Sequence, residues 1–251
     1  MIRLVALLIV LALPAKAEEV VLGLSKDAVA ITATFDGSDI LLFGAVKRES
    51  PIDLASDLEV IITIAGPTVP VTVRRKERRL GIWVNTDVVE IDAAPSFYAV
   101  ATTAPLREIL TDVEDLRYKI SIPRAIRSVG APMGVTDSEN FTTALIRIRA
   151  GNDLYQVREG MVDLEESTLF SAAFRLPANL TEGDYNAQIY LTRNGIVVDE
   201  YETVIPVKKV GLERWLFNLA HEKPLIYGLM SLAIAIAAGW GASAIFTALR
   251  R

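Results

Sequence analysis

The chain has no cysteine and a single histidine, His221. Without thiols there is no disulfide framework, no thiol nucleophile and no soft-metal site, so stability has to come from an apolar core. A Ser–His–Asp triad would have to be built around His221, about one turn before a long apolar run, so His221 reads as an interfacial polar residue. Basic charge is also scarce. Setting aside Arg3, Lys16, Arg250 and Arg251, the 26 Lys+Arg fall well short of the 31 Asp+Glu, and the remainder carries a net charge of about −9. That balance excludes nucleic acid as a partner and argues against broad adhesion to anionic lipid. Acidic residues are plentiful without metal-binding spacing: Asp36-Gly37-Ser38-Asp39 and Glu182-Gly183-Asp184 lack the EF-hand pattern and read as turns. Nothing in the sequence calls for a metal or a cofactor. An acid–base pair assembled from distant strands stays open.

Charge is missing altogether between Leu225 and Leu249, and the run is closed by Arg250 and Arg251. A helix of that length rises about 37 Å, enough to cross a hydrocarbon core of about 30 Å with some tilt. Pro224 suits its first turn, where a missing N–H loses nothing. The terminal arginines favour the cytoplasmic side. Ser231, Ala235, Gly239, Ser243 and Thr247 recur every fourth residue as a stripe of small side chains, which would let a second helix approach closely. Ala, Gly, Ser and Thr are common along the whole run, so the stripe also fits composition alone.

At the other end, Arg3, an apolar stretch Leu4–Leu13 and Ala15-Lys16-Ala17 have the form of a cleaved export signal covering residues 1–17. Residues 18–104 show period-two alternation in short runs: Ile31–Phe35, Ile40–Val46, Leu58–Ile64, Val69–Arg74, Gly81–Asn85, Val88–Ile91 and Phe97–Ala101. Short strands separated by turn signals predict an immunoglobulin-like antiparallel β-sandwich body, although no Cys–Trp–Cys pattern accompanies it. Residues 105–155 form a helical segment. Pro105 opens one helix with Leu106, Ile109, Leu110 and Val113 on a face, a loop covers residues 122–134, and a capping box at Thr136–Glu139 starts a helix carrying Phe141, Ala144, Leu145 and Ile148. A second β region follows at 156–210. It includes strands at Thr168–Leu176, at Tyr185–Leu191 and at Ile196–Val207, the last two joined through the hairpin signal Asn194-Gly195. Whether it completes the first sandwich stays open at this point. Residues 211–223 predict an interfacial helix with Trp215 and Phe217 at headgroup level, leading into the membrane span at 224–249 and a cytoplasmic tail at 250–251.

Within this acidic body, Arg74-Arg75-Lys76-Glu77-Arg78-Arg79 is an anomaly. Five cations in six residues could hold an oxyanion, a headgroup or an acidic partner loop, or could merely guard a solvated strand edge. The neighbouring Trp83 reads as core.

The run Val71–Arg78, then Gly81–Asn85 and Pro95–Val100, resembles a family of alphaproteobacterial transmembrane proteins with a single C-terminal span. The later Lys209–Trp215 and Tyr227-Gly228-Leu229 fit as well. The resemblance covers essentially the whole chain after residue 17. It implies an inner-membrane protein with a periplasmic body and carries over no catalytic residue. It also implies a partner, because such proteins are often encoded beside a polytopic permease resembling sulfite exporters. The expectation is a non-enzymatic accessory protein bound to inner-membrane lipid and to such a permease. A membrane-tethered hydrolase or lyase built on carboxylates, and a structural envelope-binding protein, are the alternatives.

Overall fold

A computed structural model describes residues 18–26, 28–31, 36–48, 57–128, 137–210 and 212–249. The export signal, most of the expected strand at Ile31–Phe35, Thr136 of the expected capping box, and the terminal arginines lie outside these residues. The chain divides into two compact units. One takes in the described residues up to Val29 and those from Asp36 to Val207, and the other takes in Ala30 and Ile31 with the chain from Lys208 onward.

The strands among the described residues are β1 (Glu18–Leu24), β2 (Val29–Ile31), β3 (Ser38–Arg48), β4 (Leu58–Ala65), β5 (Thr68–Arg79), β6 (Ile82–Pro95), β7 (Tyr98–Thr102), β8 (Tyr155–Arg158), β9 (Asp163–Glu165), β10 (Leu169–Leu176), β11 (Gly183–Arg193) and β12 (Ile196–Lys209). They form a four-stranded sheet in the order β1-β3-β10-β9, a six-stranded sheet β2-β12-β11-β4-β7-β8, and a two-stranded ribbon β5-β6. The pairs β1–β3, β3–β10, β9–β10, β11–β12, β4–β11, β4–β7 and β5–β6 are antiparallel, and β7–β8 is parallel. The mainly β, largely antiparallel architecture is the expected one. The two β regions are interleaved, since β3 pairs with β10 and β4 with β11.

Alternation explains the sandwich. Ile40, Leu42 and Val46 of β3 and Phe170, Ala172, Phe174 and Leu176 of β10 are buried, as are Val60, Ile62 and Ile64 of β4 and Tyr185, Ala187, Ile189 and Leu191 of β11. One buried row on each sheet is the arrangement of two sheets stacked face to face. Each such aliphatic side chain contributes about 1.5–3 kcal/mol on burial. At the entry to β11, Tyr185 donates its hydroxyl to Thr181 O at 2.8 Å, a local bond of the tyrosine-corner type four residues upstream. Asn194 (φ 50°) and Gly195 (φ 78°) then make the primed turn that Asn-Gly predicts.

The six-stranded sheet is covered on its second face too, which is why Leu58–Ala65 and Tyr98–Thr102 read as continuous apolar runs. Ile61, Tyr98, Val100 and Tyr190 meet Ile109, Leu110, Ile120, Leu145 and Tyr155, together with Ile91 and Ala94 at the root of the ribbon. The helices of this layer are α1 (Leu106–Ile109), α2 (Asp112–Tyr118), α3 (Ile122–Ala125) and α4 (Ser138–Ala150). The single helix expected from Pro105 breaks at Leu110, which is extended. Thr111 caps α2 by accepting from Glu114 N, while its own N–H donates to Gly195 O at 2.9 Å. The expected loop after Ile122 begins with α3, whose start is held by Asp115 accepting from both Ser121 N and Oγ at 2.7 Å. On α4, Phe141 and Leu145 are buried as expected, but Ile148 is exposed and Ile146 packs against the core instead.

The second unit contains α5 (Leu212–Glu222) and α6 (Pro224–Leu249).

Candidate functional site

The ribbon carries the basic cluster. Strands expected at Gly81–Asn85 and Val88–Ile91 are one strand, β6, with a register shift at Thr86 opposite Arg75 and Lys76. Paired residues share a face, so the register sorts the charges. Val71, Val73 and Arg75 face the same way as Ile91, Val89 and Asp87, toward the helical layer. Arg74, Lys76 and Arg78 face the other way, opposite Val88, Asn85 and Trp83.

Arg75 therefore differs from its neighbours. Its guanidinium pairs with Asp87 at 3.5 Å, makes a close ion pair with Asp137 just before α4, and lies over the Phe141 ring at 4.7 Å. The Asn140 amide, and then Arg75, hold the Asp137 carboxyl below the usual carboxylate range. Arg79 pairs with Glu77 at 3.4 Å, and Arg78 Nε reaches Gly81 O at 3.4 Å. Among the described residues, Arg74 and Lys76 have no acidic partner. The five cations are thus one inward clamp, one internally paired arginine and a row of three on the outer face.

The ribbon's end corrects the reading of Trp83 as core. Trp83 is 69% exposed, Ile82 65%, and Leu80 fully so. The turn holds Leu80 at φ 49° and Gly81 at φ 87°, a left-handed pair that suits glycine and strains leucine. Sequence reasoning passed over Leu80 and Ile82. The available signal was an apolar residue where a hairpin turn ordinarily carries Asn or Asp.

α6 is apolar on every side. Its stretch Pro224–Ser243 is long and apolar enough to cross a membrane, and none of it is buried. Ser231, Ala235, Gly239 and Ser243 are exposed along one flank, and nothing lies within 4 Å of where a Gly239 Cβ would stand. Thr247 continues the stripe in α6, with its side chain outside the described set. On α5, Trp215 and Phe217 are exposed. His221 stacks on Phe217 at 4.0 Å with Nδ1 2.9 Å from Phe217 O, a local helical contact.

Carboxylates converge little. An open hollow of about 1160 Å³ beside α1–α4 is lined by Asp112, Asp115, Glu139, Arg107 and Arg124, among others, and Asp115 is already committed to Ser121. Glu114 is buried, accepting from Val197 N and Arg117 Nη1 at 3.1 Å each. Among the described residues no cluster of three His, Asp or Glu side chains is placed to hold a metal. The turn Asp36–Asp39 is bridged by Lys26 Nζ donating to Ser38 Oγ at 2.7 Å.

No curated protein matches the chain. A family model described as "Putative transmembrane protein (Alph_Pro_TM)" matches residues 19–248, nearly all of the β body and its apolar helix, and the chain belongs to that family.

Proposed function

We propose that the protein is a non-enzymatic accessory subunit of a polytopic inner-membrane protein, with an anion permease of the sulfite-exporter type as the candidate partner. Residues 1–17 direct export, the β body stands in the periplasm, α6 crosses the membrane, and Arg250 and Arg251 keep the C-terminus cytoplasmic. One observation carries this reading. α6 presents Ser231, Ala235, Gly239 and Ser243 as exposed small residues along one flank. In lipid, where apolar surface alone gives no drive to associate, small side chains that let backbones approach are the basis of helix pairing.

The test is co-purification in mild detergent from cells that also express the permease. The native chain retains the permease, whereas Gly239→Ile and Ser243→Ile lose it at unchanged yield of membrane-bound protein. Equal recovery by the variants, or none by the native chain, overturns the reading. A phosphatase fused after Arg251 should be inactive, and an active one overturns the topology.

A further inference from the structure

We propose that the tip of the β5–β6 ribbon is a second, peripheral membrane-contact element, which seats Leu80, Ile82 and Trp83 among the headgroups of an anionic phospholipid surface while Arg74, Lys76 and Arg78 engage the phosphates.

Four observations converge on it. The ribbon's root is fixed by buried Val89, Ile91 and Ala94 and by the Arg75 clamp, and its distal part projects from that root as a two-stranded arm. Beyond the Arg75–Asp87 pair the arm continues to Arg79 and Ile82, a further length of roughly 13 Å at strand spacing. Its end carries three large exposed apolar side chains, Leu80 in the turn, Ile82 opposite Arg79 and Trp83 opposite Arg78, and the tryptophan ring suits the water–lipid boundary. The outer face behind them holds three cations and no carboxylate until Glu90, since Glu77 and Asp87 lie on the other face.

Apolar tip first and cations behind is the order in which a bilayer presents its own layers, read from the acyl boundary outward. A twofold copy of this chain docked on the same face would set the three cations against each other. The negative charge of the body does not oppose the contact, because charges more than about 8 Å away are largely screened at physiological salt. Broad adhesion to anionic lipid is disfavoured, and a focal contact is not. The inference needs a bilayer near the body but no partner for α6, so it stands or falls separately from the accessory role.

The absence of cysteine supplies the probe. Full-length Leu80→Cys, labelled with an environment-sensitive fluorophore, is reconstituted into vesicles of phosphatidylcholine with or without about 30% phosphatidylglycerol. Asn179→Cys, on an exposed turn elsewhere in the body, is the control. Expected are a blue-shifted emission and quenching by shallow doxyl-labelled lipid at position 80 but not 179, in the anionic vesicles only. Arg74→Gln/Lys76→Gln/Arg78→Gln should weaken tip occupancy by on the order of a hundredfold, from three lost cation contacts. These side chains are exposed, and an unchanged circular dichroism spectrum verifies the fold.

Water-like emission in both vesicles overturns the proposal, and so does an equal shift in both. A shift that fades on lowering the protein-to-lipid ratio assigns the tip to a second copy. A shift seen in native membranes but not in pure lipid assigns it to an acidic protein. Either of these outcomes overturns the lipid contact.

Discussion

Arg75 on β5 and Asp137 at the start of α4 are joined by an ion pair across 62 residues of chain, and the same guanidinium lies over Phe141 one turn further on. This pair fastens the basic ribbon to the helical layer. Asp137 has a lowered folded-state pKa, so its contribution is fully present above its ordinary value of 3.8 and is lost as pH falls through the lower folded value. Amide exchange in α4 should therefore accelerate as pH drops below about 3.8, after correction for intrinsic rates, and Asp137→Asn should abolish the transition. Arg75→Ala should cost about 1 kcal/mol through the stacking on Phe141 alone, measured by chemical denaturation of the detergent-solubilised chain.

At the alkaline end the sign reverses. Burial raises the phenols of Tyr98, Tyr185 and Tyr190 above their ordinary value of 10.0, and pushes Tyr155 up to about 12. Tyr98 donates to Ile120 O and Tyr155 to Pro95 O, both at 2.9 Å, so ionisation would also break these bonds. Their neutral forms stabilise the fold fully below pH 10, and that contribution is lost as pH rises through the folded values. Tyrosinate absorbance from these four should accordingly appear only above pH 10 and only together with loss of the β-sheet signal.

The tyrosine corner can be isolated chemically. Tyr185→Phe keeps the ring against Phe97, centroids 6.0 Å apart, and removes only the bond to Thr181 O. A loss of about 1 kcal/mol with an unchanged denaturant slope is expected, because one part-buried hydrogen bond is lost while the surface exposed on unfolding stays the same.

The ribbon shows why the sequence was legible only in part. Hydrophobic alternation located the longer strands from β3 to β7 and from β10 to β12, though not β1, β8 or β9, because a half-buried sheet imposes period two on its residues. The expected strand, however, stopped at Arg74, so its parity was not carried into the cluster that follows. Extended by one residue, Val71-Val73-Arg75 already places Arg75 inward and Arg74, Lys76 and Arg78 outward. Thr111-Asp112-Val113-Glu114 has the spacing of a capping box and marks the helix break after Leu110, a local signal that the apolar spacing of Leu106–Val113 concealed. The pairing of β3 with β10 and of β4 with β11 was out of reach, since it joins segments more than 100 residues apart and leaves no mark on either strand alone. The apolar helix was the easiest element to read, because hydrocarbon imposes its requirement on every side chain at once.

Leu80 links strain to the proposed lipid contact. A leucine at φ 49° carries a backbone penalty of about 1 kcal/mol that glycine avoids. Leu80→Gly should stabilise the ribbon by up to that amount, seen as slower amide exchange in β5 and β6. It should also weaken tip association with anionic vesicles. A variant gaining stability while keeping full vesicle contact would place the apolar drive in Ile82 and Trp83 alone.

The anchor itself gives the last prediction. α6 contains no charge and exposes apolar side chains all round, with Ile234 at 61%, Ile236 at 64% and Trp240 at 78%. A soluble protein leaves no such surface in water, so the native chain should stay in the pellet on alkaline carbonate extraction. A lysine near the bilayer centre opposes insertion by about 3 kcal/mol, which a run of this apolarity still outweighs. Ile236→Lys alone should therefore leave most of the protein in the pellet. The double substitution Ile236→Lys/Gly239→Lys puts two like charges within one turn, roughly doubles the penalty, and should release the chain into the supernatant. Each substitution leaves β1–β12 untouched, so the released protein should keep its sheet circular dichroism, which separates failure of insertion from failure to fold.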